Sequence, residues 1–101
     1  MAGEPAKESA PEEKAENVPM PEASFPTLVA GLATQVLMNL GEIANPLNGE
    51  KARDLEHAKF TIDLLGVIQE KTRGNLTAQE QEFLELTLYD LRLKYVSASG
   101  Y

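Results

Sequence analysis

The sequence predicts an all-α domain of three helices, the second and third forming an antiparallel hairpin with the first packed across it, behind a disordered N-terminal tail. Three observations carry this expectation. Apolar residues recur at helical spacing in Ala58, Ile62, Leu65 and Ile68, and again in Leu84, Leu88, Leu91 and Tyr95. Between those stretches Gly74 supplies a helix stop and Thr77 a helix start. Upstream, an uncharged apolar run from Ala23 to Gly41 opens on Ser24 and Pro26, a cap residue and a first-turn proline.

Residues 1–24 form the expected tail, acidic and rich in Pro, Glu and Ala. Pro5, Pro11, Pro19 and Pro21 remove backbone donors, and large apolar side chains are too few to offset the entropy of ordering. Only Val18 and Met20 could dock there. The helical domain is expected over residues 25–96 and a frayed end over 97–101.

The first helix is expected from Pro26 to Leu40, with Gly41 as the residue that ends it. Leu28, Val29, Leu32, Ala33, Val36, Leu37 and Leu40 cover more than half its circumference, which predicts burial on most sides. Thr27, Thr34, Gln35 and Asn39 interrupt the run, so its length suits a core helix better than a membrane span. A connector follows from Glu42 to Gly49, broken by Asn45-Pro46 and Asn48-Gly49, with Ile43 and Leu47 expected to pin it to the core.

The second helix is expected from Glu50 to Arg73. Beside its core stripe it carries a second one, Phe60, Leu64 and Val67, while Glu56, Lys59, Asp63 and Glu70 make a wet side. Thr77-Ala78-Gln79-Glu80 is a capping box: the Thr77 hydroxyl accepts from the Glu80 N–H, and the Glu80 carboxylate accepts from the Thr77 N–H. Gly74, Asn75, Thr77 and Glu80 are therefore the structural residues of a hairpin too short to be anything but antiparallel. The third helix runs from Ala78 to Val96. Opposite its core stripe it carries Leu86, Tyr89, Leu93 and Val96, so it has two apolar faces where a small monomer needs one.

Composition narrows the function classes. The chain has no cysteine, which removes disulfide staples, thiolate catalysis and Cys-based metal centres. Its net charge of −7 disfavours nucleic acid and anionic membrane surfaces as partners. No basic, apolar and small-residue leader opens the chain, so a cytoplasmic setting is expected. A folded unit of this size buries only about 60% of its unfolded surface, and association is the remaining means of stabilising it.

Chemistry-bearing residues are sparse. His57 has only Asp54 at ligand spacing, too little for a metal site, and reads as a surface histidine. Glu82 and Glu85 sit early in the third helix, where negative charge favours the helix dipole, with no nucleophile or phosphate loop beside them. Lys71 and Arg73 end one helix, Arg92 and Lys94 the other, so the cations do not pool. Lys59–Asp63 and Asp90–Lys94 are i,i+4 pairs. Asn75-Leu76-Thr77 fits a glycosylation sequon, but capping explains Thr77 better. Thr72 and Asn75 read as partners for nearby backbone groups.

Asp54-Leu55, Ala58, Ile62-Asp63-Leu64-Leu65, Lys71-Thr72-Arg73-Gly74-Asn75-Leu76-Thr77, Glu80, Leu91-Arg92 and Tyr95-Val96 resemble a small bacterial family of uncharacterised helical proteins, domain of unknown function 1844. Phe25, Leu28-Val29, Leu32-Ala33 and Leu40-Gly41 are similar to that family's opening. The resemblance implies a short helical protein with no assigned activity, substrate or cofactor. The functional expectation is a non-enzymatic helical interaction protein without cofactor or metal, forming a homo-oligomer, dimer or higher. Its candidate surface is Leu86, Tyr89, Leu93, Val96, Phe60, Leu64 and Val67, which could also take an unidentified protein partner. The alternative is a membrane-associated protein using the uncharged first helix, about residues 23–41.

Overall fold

The computed structural model describes residues 20–100, which form three helices: α1 (Phe25–Asn39), α2 (Leu55–Lys71) and α3 (Ala78–Ala98). Residues 1–19 of the expected tail, Val18 among them, lie outside the described residues, as does Tyr101. Met20 is exposed and does not dock.

Local chemistry sets the ends of α1. The Ser24 hydroxyl accepts from the Thr27 N–H at 3.3 Å, and Pro26 occupies the first turn, where an N–H has no helical acceptor. At the far end Gly41 has φ +79°; its N–H donates to Met38 O at 3.1 Å, and the Glu42 N–H donates to Leu37 O at 2.9 Å. That pair of bonds satisfies carbonyls the helix would otherwise leave open, and it needs a left-handed residue at Gly41.

The connector is longer than the sequence suggests. The Asn45 N–H donates to Glu50 O at 2.9 Å, and the Asn45 side chain accepts from the Leu47 N–H at 2.8 Å. Those bonds hold Glu50 out of helix, and α2 starts five residues later, where Asp54 Oδ1 accepts from the His57 N–H at 3.0 Å. The Asp54 N–H donates to Asn39 O at 2.7 Å, which ties the start of α2 to the end of α1. Polar bonds do this work. Ile43 and Leu47, expected to pin the connector, are exposed, Ile43 at 38% and Leu47, inside the Asn45 turn, at 92%.

The hairpin forms as expected. α2 ends at Lys71, the Thr72 hydroxyl donates to Ile68 O at 2.7 Å, and Gly74 has φ +85°. Both bonds of the capping box are present, Glu80 N–H to Thr77 Oγ1 at 3.1 Å and Thr77 N–H to Glu80 Oε1 at 2.9 Å. α3 continues past the expected stop at Val96 to Ala98, with Ser99 as its cap. Residues 97–98 are helical rather than frayed because Ala98 packs against the core and its carbonyl accepts from Arg53 Nη1 at 3.3 Å.

Each helix packs on both others, around Val29, Val36 and Leu40 of the first segment, Ala58, Ile62 and Leu65 of α2, and Leu84, Leu88 and Leu91 of α3. Burying each of the Val, Leu and Ile side chains among them contributes about 1.5–3 kcal/mol. The first helix is less enclosed than its composition predicts. Only Val29 and Val36 within it are fully buried, and Leu28 is half exposed. Two neighbours enclose one stripe of a helix; Leu32, Ala33 and Leu37 pack against the core at its margins and stay partly exposed, and Leu28 faces water.

Candidate interaction surface

Apolar residues are spread around α3 so evenly that the helix has almost no amphipathic bias. Two opposed seams cause that cancellation. The inner one is Leu84, Leu88 and Leu91, with Tyr95 partly buried behind them; the outer one is Leu86, Tyr89, Leu93 and Val96. The outer seam recurs at alternating steps of three and four, the spacing of a helix that meets another helix. All four of its residues are exposed, Tyr89 at 65%.

Charged groups flank this seam. Glu85 and Arg92 stand on the side facing α2, at positions seven apart and so on one line along the helix. Gln81 Nε2 donates to Glu85 Oε2 at 3.1 Å. Arg92 reaches over Gly66 of α2, with Nη2 placed 3.6 Å from where a Cβ would stand. On the other flank Lys94 Nζ lies 3.9 Å from Asp90 Oδ1, on the α1 side. There an open apolar groove of about 440 Å³ runs between Ala30, Ala33 and Leu37 of α1 and Phe83 and Leu86 of α3.

The second set of candidates, Phe60, Leu64 and Val67, is also exposed on α2, Phe60 at 58%. The structure does not merge it with the α3 seam. Arg92 lying over Gly66 puts a guanidinium at the α2–α3 junction, between the two stripes. Phe83, at the edge of this groove, is the member of the apolar surface that sequence reasoning missed. Phe83 sits one position before the inner Leu84, and periodicity alone does not reveal that α1 leaves it at a groove edge.

The remaining chemistry-bearing residues make local contacts. His57 is exposed and edge-on to Phe60, with ring centroids 6.2 Å apart. Around the hairpin, Arg73 Nη2 meets Glu70 Oε1 at 2.8 Å and the Asn75 N–H donates to Thr72 O at 2.8 Å. In that turn the side chains of Thr72, Thr77 and Glu80 bond backbone groups at the helix ends, while Asn75 contributes its backbone N–H. Lys59 Nζ and Asp63 Oδ2 pair at 3.0 Å in the open, a contact worth a few tenths of a kcal/mol. Among the described residues no group of three or more His, Cys, Asp and Glu side chains could hold a metal ion. No described helix is long and apolar enough to cross a membrane.

Fold and surface define a small all-helical domain with an outward apolar seam. The chain belongs to the family described as domain of unknown function (DUF1844), whose model matches residues 22–97 and so takes in all but the last residue of the three helices. No curated protein and no solved structure matches it.

Proposed function

We propose that this chain is a non-enzymatic interaction protein that self-associates through the outer apolar faces of its helices, the α3 seam above all. The observation that supports the reading is the seam itself. Leu86, Tyr89, Leu93 and Val96 lie exposed on a helix whose opposite side is already core. Large apolar side chains left in water forgo about 1.5–3 kcal/mol each relative to full burial. A second helix laid along the seam would recover part of that for a domain whose own core is small.

Multi-angle light scattering of the purified full chain tests the proposal. A dimer or higher species is expected at micromolar concentration, dissociating on dilution. A mass of 11.0 kDa at every concentration up to the solubility limit would end it.

A second reading rests on α1, whose exposed Leu28, Gly31 and Thr34 carry no charge. Laid on a lipid surface, that side would meet no desolvation of ionised groups. Flotation with neutral liposomes tests it, and a protein that stays at the bottom of the gradient argues against it.

A further inference from the structure

We infer that the α3 seam takes α3 of a second copy of this chain, running antiparallel about a twofold axis near Leu86–Tyr89, with Glu85 of each copy opposite Arg92 of the other. The inference rests on the self-association proposed above and adds its partner helix, direction and register.

Charge order along α3 selects the direction. Three of its four acidic residues, Glu80, Glu82 and Glu85, lie in its first half, while Asp90 shares the second half with the cations Arg92 and Lys94. In a parallel pair the flanking position of Glu85 faces that of Asp90 on the second copy, twice over, and both contacts repel. In an antiparallel pair the flank carrying Glu85 and Arg92 faces the same flank of its copy. Each Glu85 then meets an Arg92 of the second copy, on both sides of the axis.

The length of α3 selects the register. The helix spans Ala78–Ala98, so full antiparallel overlap places the axis beside residue 88. That alignment sets Leu86 against Tyr89 of the second copy at the centre of the seam. Leu93 then lies over the aliphatic stem of Glu82, whose carboxylate reaches water at the edge. Two contacts oppose the arrangement: Glu82, four residues before Leu86 and so in line with the seam, brings a carboxylate toward it, and the two Asp90 side chains come near each other on the α1 flank. Each Asp90 has Lys94 of its own helix at 3.9 Å to offset the repulsion.

The lack of cysteine makes the test direct. Glu85→Cys and Arg92→Cys are made separately in the full chain, and each is oxidised alone and as an equal mixture. The mixture is expected to give one disulfide-linked heterodimer. Each variant alone gives little, because like positions lie about seven residues out of step, beyond the ~7 Å Cα separation a disulfide spans. In parallel, Glu85→Arg and Arg92→Glu are each expected to weaken the dimer by roughly tenfold or more, and the double reversal to restore it. Circular dichroism of every variant confirms that the monomer fold persists.

Failure separates cleanly. A wild-type chain that is monomeric at all concentrations overturns both this inference and the proposed self-association. A wild-type dimer that ignores both charge reversals overturns the antiparallel α3 pairing alone. So does one in which Glu85→Cys links efficiently to itself.

Discussion

The two seams of α3 share one helix and nearly the same residue types, yet they meet opposite surroundings. Leu84, Leu88 and Leu91 are almost wholly buried against α1 and α2, while Leu86, Tyr89, Leu93 and Val96 face outward. Residue type therefore does not decide which seam becomes core. The Gly74 turn and the Thr77 box bring α3 back along α2, and packing against α1 and α2 turns one seam inward. The inner seam carries the stability of the fold, and the outer one faces water, where the proposed function puts a partner.

Substitutions can pull the two roles apart. The largest expected effect is on the inner seam: Leu84→Ala removes a fully buried side chain and should destabilise the domain by about 2–5 kcal/mol, read by urea denaturation. The hairpin that joins α2 to α3 comes next. Gly74→Ala forces a Cβ into the left-handed region at φ +85° and should cost about 1–2 kcal/mol. Thr77→Ala leaves the Glu80 N–H without its cap and should cost about 1 kcal/mol, measured the same way.

The outer seam should behave in the opposite sense. Leu93→Gln should shift the unfolding free energy of the monomer by no more than about 0.5 kcal/mol, as expected of an exposed site, while reducing the mass seen by light scattering. Equal stability losses from Leu84→Ala and Leu93→Gln in dilute monomer would erase the distinction between the seams. The smallest effect is expected on the solvated side of α2, where Asp63→Asn breaks an exposed ion pair and should cost a few tenths of a kcal/mol.

Much of this architecture could be read locally. The Ser24 cap, the Gly41 and Gly74 stops and the Thr77–Glu80 box each use side chains within a few residues of the backbone groups they satisfy. Their geometry therefore follows from short sequence windows. The start of α2 could not be read that way. Glu50, Lys51, Ala52 and Arg53 are all competent helix formers, and they stay out of helix because of the Asn45–Glu50 loop and the Asp54–Asn39 bond. The same limit explains Ala98, whose place in α3 depends on Arg53, far away in sequence.

The candidate surface divides similarly. Periodicity identified the outer seam of α3 and the Phe60–Leu64–Val67 stripe of α2 as apolar and separate from the core stripes. It could not say that Arg92 stands between them, or that α1 and α3 leave a groove at Phe83.

The sequence by itself determined three helices, the hairpin that joins the last two, and the presence of two opposed apolar seams on α3. Caps and periodicity act over one or two turns, and the chain states them outright. Tertiary structure alone decided how far α1 is enclosed, where α2 begins, and which apolar residues keep contact with water. Those outcomes depend on how many neighbours a helix has and where they lie. In a bundle of three, each helix has only two.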